Sequence, residues 1–409
     1  DAGRSPCRRP SLGEHPVVCI ALLLGQEQLT REWRNRSGGK HVRFVYPALV
    51  PYIQTEFGID LAVTGLLLTM LWGSYALGHV PGGVLGDRIG EGNILVLSTL
   101  ISAAALAFVS LSTQIWMLFV ATVAFGFATA LYGPTRFTIL TDIYSANVGS
   151  AIGLTLSAGS LGNAAFPVLA TVVAGYTTWR LGFGIFVPLF GLFAIGLWLA
   201  VPPRTSGRES AVDTLSMATL RRIKAGITTD SIPAVVGIQT TVSFIIQGFS
   251  SFYPAYLTIV KGVSVATAAM LFGLFFAVGA VIQPVAGRVM DRFGAWVTLA
   301  AFISGTVAAL WLLPFAHGVP QLLAITVLFS CWNGCGVITQ TYIADTLPAE
   351  MQGTGLGTLK AGWMTVGATS PLLIGILADN DLFDEGFLLL AVVGSLGVIL
   401  ALRKALGER

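Results

Sequence analysis

Eleven apolar runs, each long enough for a membrane-crossing helix, punctuate the chain at approximately 62–85, 94–111, 114–136, 146–175, 179–201, 232–257, 265–287, 296–316, 319–342, 351–378 and 386–403. About 20 apolar residues cover the hydrocarbon thickness, and a helix pairs every backbone amide within one segment, so each run is expected to span a bilayer. Most turns between runs hold only a few residues. Two stretches break the pattern. Residues 202–231 hold Pro202, Pro203, several serines and the basic group Arg221, Arg222 and Lys224, which reads as a linker with a short amphipathic helix on the membrane surface. Residues 27–43 carry six basic residues, counting His41, and two glutamates. Only 44–57 keeps membrane character there, and a helix of that length reaches about 21 Å, short of a ~30 Å core. Residues 1–40 are therefore expected to be disordered or foreign to the native start, with a genuine cytoplasmic extension as the alternative, and the first helix shortened to roughly Val42–Phe57. The remainder divides into a first half at 41–201, the linker at 202–231 and a second half at 232–409.

Composition agrees with a multi-pass membrane protein: 54% of the 409 residues are apolar, 11% are charged, and mean hydropathy is +0.78. The net charge of +3 is spread between apolar runs, so nucleic acid is not an expected partner and the lipid bilayer is. The four cysteines form no disulfide or metal pattern. Basic residues decide the orientation, because cytoplasmic loops carry the excess. Placing the turn near 82–93 inside gives the inner loops and C-terminus twelve Lys and Arg, against Arg180 and Lys261 outside. Both chain ends then lie in the cytoplasm, and Asp379, Asp381, Asp384 and Glu385 face out.

Residues 82–90, "GGVLGDRIG", recur as "AGRVMDRFG" at 286–294. Gly83 and Gly287, Asp87 and Asp291, Arg88 and Arg292, and Gly90 and Gly294 all stand 204 residues apart, as do Gly149 and Gly353, Gly153 and Gly357, and Pro167 and Pro371. The chain is a tandem duplication. Repeats with an even number of spans keep their orientation and enclose a cavity about an axis normal to the membrane, so six spans per half make twelve.

With Gly83, Leu85, Asp87, Arg88 and Gly90 followed by the second copy, residues 44–403 resemble the major facilitator superfamily of secondary transporters. The resemblance implies an all-α, twelve-helix fold of two parallel six-helix repeats. It also implies that Asp87 caps the start of helix eleven near Ala349 while Asp291 caps helix five, two contacts that latch the halves on the cytoplasmic side. A plain helix stop is the alternative reading of each Asp-Arg pair. Glu91, Gly92 and Asn93 depart from the family pattern, which has a basic pair there. Gly162 and Pro167 are five apart, so the Gly-Pro pair of the family's antiporters is missing. Small residues such as Gly149, Gly153, Gly353 and Gly357 mark expected helix contacts, and Pro167 and Pro371 expected bends.

No phosphate-binding loop, metalloprotease motif or pair of intramembrane aspartates occurs, so neither direct ATP use nor an enzyme is expected, and no cofactor or metal site. Among ionisable residues inside the helices Lys360 stands out at roughly 16 Å depth. It is open to three readings: a snorkelling side chain, a structural ion pair, or a site for an anionic substrate. Oxalate and formate exchangers of the superfamily are similar in having a lysine in helix eleven, which implies a carboxylate. Arg43, Gln239, Gln247 and Asn333 are further candidates for the cavity wall, His79 is a candidate for proton coupling, and Arg136 is placed at the inner boundary. The expectation is a monomeric plasma-membrane carrier of a small molecule, coupled to an ion such as H+. A multidrug or metabolite exporter and a non-transporting sensor are the alternatives.

Overall fold

In a computed structural model the described residues are 42–143, 148–203, 232–346 and 352–407, and every regular element among them is helical. The first half contains α1 (Val45–Phe57), α2 (Leu61–Ile89), α3 (Glu91–Leu111), α4 (Ile115–Ile143), α5 (Val148–Tyr176) and a sixth helix interrupted at Ile185, α6a (Trp179–Gly184) and α6b (Phe186–Ala200). The second half contains α7 (Ile232–Ile259), α8 (Val265–Phe293), α9 (Ala295–Leu312), α10a (Val319–Phe329) and α10b (Trp332–Thr346), α11a (Gln352–Gly367) and α11b (Ser370–Asp379), and α12 (Phe383–Gly407). Ten helices among the described residues are long and apolar enough to cross a bilayer. Residues 1–41 and 204–231, which hold the atypical start and most of the linker, lie outside the described residues.

The duplication is visible in the helix bounds. Leu61–Ile89 and Val265–Phe293 have 29 residues each and are offset by 204, and α3, α4, α5 and α6a begin 204 residues before α9, α10a, α11a and α12. Local chemistry repeats with them. Asp60 caps α2 by accepting from Val63 N at 2.7 Å, and its counterpart Ser264 caps α8 by accepting from Thr267 N at 3.1 Å. Each cap satisfies one of the amides a helix start leaves open. Gly90 (φ +96°) and Gly294 (φ +82°) turn the chain from the end of α2 into α3 and from α8 into α9, a backbone region hostile to a Cβ.

The two faces of the bundle differ in charge. One, called the acidic face below, carries Asp60, Asp379, Asp381, Asp384 and Glu385; the other, the basic face, carries Arg88, Arg288, Arg292 and Arg403. Between them the interior is dense with rings, among them Phe249 stacked on Phe329 at 3.6 Å and Tyr46 at 4.6 Å from Phe183. The halves meet closely on the acidic side. Leu61 N and Ala62 N of α2 each donate to the Asp379 carboxylate of α11b at 2.7 Å, and Leu372 N donates to Thr69 Oγ1 at 3.0 Å. Glycines permit this approach: a Cβ on Gly65 would lie 2.6 Å from the Pro371 carbonyl oxygen, and one on Gly273 of α8 would lie 2.5 Å from that of Ala164 in α5. The side chains at Gly149, Gly153, Gly353 and Gly357, the expected contact glycines, lie outside the described ones.

One further expectation meets a different geometry. Residues 82–89 are not a turn but the last two turns of α2, since helical bonding persists until Gly90 N donates to Gly86 O at 3.0 Å. Pro371 marks a break between α11a and α11b, and Pro167 lies inside α5.

The departure at 91–93 has a structural cause. Gly92 N and Asn93 N donate to the Pro203 carbonyl at 3.1 and 3.3 Å, and a Cβ on Gly92 would collide with the Pro202 carbonyl. A lysine or arginine at 92 is thereby excluded. Gly92→Val should lower the melting temperature of the purified protein by several degrees, read by scanning fluorimetry, through loss of this tie between α3 and the end of α6b; an unchanged melting curve would contradict the contact.

Candidate substrate site

On α2, Trp72, Tyr75 and His79 follow the i, i+3, i+7 spacing that places side chains on one helix face. That face meets the second half at Ser251, and α2 packs tightly on α4: a Cβ on Gly78 would lie 2.7 Å from Ala130 Cβ, and one on Gly126 of α4 would lie 2.5 Å from the Leu71 carbonyl. Arg43, just before α1, lays its guanidinium 3.3 Å from the centre of the Tyr75 ring and 5.4 Å from that of Trp72, and is 5% exposed. The stack fixes the planar group, which a flexible arginine otherwise orders only at an entropic cost.

The charges of two more cations act on the same ring. Tyr75 lies in the electrostatic field of Arg43, Lys360 and Arg136 together. Lys360, half-buried on α11a, interacts with Tyr75, Arg136 and Arg43, and the two arginines share its sign. Arg136, near the basic-face end of α4, interacts with Tyr132, Tyr75 and Arg43. Arg43 and Arg136 belong to the first half and Lys360 to the second, so the cluster straddles the junction of the halves. His79 is buried next to it, its ring edge-on to Tyr75 at 4.6 Å. Its Nδ1 donates to the Tyr75 carbonyl at 2.8 Å; a carbonyl only accepts, so Nδ1 carries the proton.

The other candidates are placed apart or are engaged in packing. Gln247, the counterpart of Arg43 in the 204-residue register, is buried with Nε2 donating to Ser243 Oγ at 3.1 Å and the Met364 carbonyl at 3.2 Å, while Oε1 has an open acceptor position. Gln239, two turns nearer the basic face, accepts from Thr339 and ties α7 to α10b. Asn333 donates to the Ser330 carbonyl at 3.1 Å, at the interruption of the tenth helix, and presses on Gly279. In the repeated motif, Gly83 and Gly287 have no neighbour within 4 Å of where a Cβ would stand, Arg88, Asp291, Arg292 and Gly294 are exposed, and Arg292 lies over Phe293 at 5.1 Å. The Asp87 side chain and residues 144–147 and 347–351, where the partners of both carboxylates are expected, lie outside the described residues. No group of three metal-ligating side chains occurs among the described residues.

A ring of membrane-spanning helices in two repeated halves, with a polar and charged cluster enclosed at their junction, defines a class of membrane carriers. The chain belongs to the Major Facilitator Superfamily, whose family model matches residues 42–339 and 235–408, and it is a secondary transporter. Among curated relatives, a probable sugar efflux transporter of Helicobacter pylori (strain G27) is 25% identical over 57% of this chain, which spans 62% of that protein's length. The hexuronate transporter of Bacillus subtilis (strain 168) is 24% identical over 88% of this chain and 90% of its own, and the cis,cis-muconate transport protein of Acinetobacter baylyi (strain ATCC 33305 / BD413 / ADP1) 24% over 86% and 87%. A bacterial homologue of the human lysosomal transporter Spinster, solved inward-facing and unoccupied, has the same fold, with a TM-score of 0.74 at 18% identity over 97% of this chain and 99% of that one.

Proposed function

We propose that the protein carries a small organic anion, a carboxylate, across the plasma membrane by alternating access. The observation that carries this reading is the Arg43 guanidinium stacked on Tyr75 inside the helix bundle, with Lys360 and Arg136 near enough to act electrostatically on the same ring. Cations in so poorly polar an interior repel strongly and lack bulk water, so an anion between them relieves both costs. Arg43 offers a planar fork suited to a carboxylate, and Lys360 a point charge from the opposite wall. A bound anion therefore links the two halves, and drawing them together around it is the occlusion step. Relatives named for hexuronate and cis,cis-muconate fit this chemistry better than the one named for sugar efflux.

The excess of basic residues puts the basic face, and with it the C-terminus, in the cytoplasm. Asp87 and Asp291 then serve the cytoplasmic gate. His79 is the group placed to carry a coupling proton, because it adjoins the ring on which the three cations act. His79→Gln should make uptake insensitive to an imposed pH gradient while leaving exchange of anion for anion intact; gradient-driven uptake equal to the parent's would remove His79 from the coupling.

Proteoliposomes containing the full chain should accumulate a labelled small carboxylate, and other carboxylates should compete for it. Flux of a neutral sugar or a cationic drug that no carboxylate inhibits would overturn the reading in favour of an exporter. Binding without flux in either direction would favour a sensor of the same fold.

A further inference from the structure

The cationic cluster is roofed on its acidic side by aromatic rings that come from both halves. Trp72 and Phe276 are counterparts in the 204-residue register, each about 16 Å along its helix from the acidic face, and Tyr75 lies one turn deeper. Phe44 fills the space between them, with ring centres 5.4 Å from Trp72, 4.6 Å from Phe276 and 6.2 Å from Phe272. Phe44 is adjacent in sequence to Arg43, and Trp72 touches both the Arg43 guanidinium and the Phe44 ring. A carboxylate held by Arg43 thus sits within one ring's width of an apolar, flat surface.

The side-chain N–H donors of Trp72, Gln247 and Asn333 near this roof are already engaged, and Gln247 Oε1 is the open acceptor beside them. Trp72 Nε1 donates to Ser251 Oγ at 3.3 Å, Gln247 Nε2 is taken up by Ser243 and Met364, and Asn333 Nδ2 by Ser330. Met364, Ala130 and Ala368 complete the surroundings of Trp72 and Tyr75. A chain of hydroxyl groups moved here from water would give up more hydrogen bonds than Gln247 Oε1 replaces, whereas an aromatic or conjugated body would gain ring contacts.

We propose that the anion taken by this site has a flat, apolar body, an aryl or conjugated carboxylate and not a polyhydroxy acid, selected by the Phe44, Trp72 and Phe276 layer. The proposal rests on the anion reading above and narrows it. Binding of benzoate, D-glucuronate and acetate, three anions of equal charge, to the purified full chain by calorimetry is the test. Benzoate should bind at least tenfold tighter than either of the others. Phe276→Leu and Phe44→Leu, which keep apolar bulk but remove a ring, should weaken benzoate about fivefold to tenfold and leave acetate within twofold. D-glucuronate binding as tightly as benzoate, or a ring substitution weakening all three anions alike while the melting temperature is unchanged, would overturn the selection by the aromatic layer and leave the anion site standing. Failure of all three to bind would instead overturn the anion site itself.

Discussion

Lys360→Ala should lower the kcat/KM of carboxylate transport by about 100-fold or more in proteoliposomes, with Lys360→Arg recovering part of it. Removing one partner of a charged pair in a poorly solvated interior costs on the order of 3–5 kcal/mol, because the other charge is left without its counterpart. In the loaded carrier that stranded partner is the substrate. The empty carrier should respond in the opposite sense. Lys360 faces Arg43 and Arg136, which have its own charge, so Lys360→Met relieves repulsion and should raise the melting temperature in the absence of anion. A lysine held by a structural ion pair would show loss on both counts, and a snorkelling lysine neither. Unchanged uptake at equal protein level in Lys360→Ala would therefore dismiss the site, and the melting curve would say which alternative replaces it.

A second large effect is expected at the acidic face. Asp379 accepts from both Leu61 N and Ala62 N and so caps a helix of the opposite half with a full negative charge. Loss of a cap costs about 1 kcal/mol, roughly a fivefold shift in a two-state population. Asp379→Ala should shift the carrier toward the form open on the acidic face. Asp379→Asn should act in the same direction, because one carboxylate oxygen becomes an amide donor opposed to a backbone donor. Spin labels at Thr113→Cys and His317→Cys, both exposed on that face, report the distance between the halves in a background lacking the four native cysteines. A longer mean distance in both variants is expected, and distributions identical to the parent's would show that the contact does not hold the halves together.

Much of the scaffold was legible in the chain. The apolar runs, short turns and 204-residue register give the helix starts, since a repeated unit repeats its caps as well as its core, as Asp60 and Ser264 show. The helix interruption at Ser330–Cys331 was not, because it carries no proline or charge; the one at Ile185 has a signal in Pro188, which lacks the amide that would donate to the Gly184 carbonyl. Within the site, Lys360 is conspicuous because a cation in an apolar helix has no trivial explanation. Arg136 is legible as a boundary residue, and its nearness to Tyr75 depends on how α2 and α4 pack, which the sequence does not show. Tyr75 and Trp72 gave no signal at all. Aromatic residues are ordinary in membrane helices, and only the placement of α1 against α2 makes them the bed for Arg43.

The Asp379 clamp has no twin. Its counterpart is Gly175, and the counterpart of Leu61 is Val265, so the matching junction between α5 and α8 closes through close packing at Gly273 without a carboxylate. A carrier whose two seams were alike would hinge evenly about its axis. Here one seam carries a charged clasp and the other slides on bare backbone, so the halves should peel apart from the uncharged side first, and the solute's way in toward the acidic face is lopsided. A machine built by copying one part twice has become handed, and its forward and return strokes can differ in speed although the thermodynamic limit on the gradient it sustains is the same in both directions.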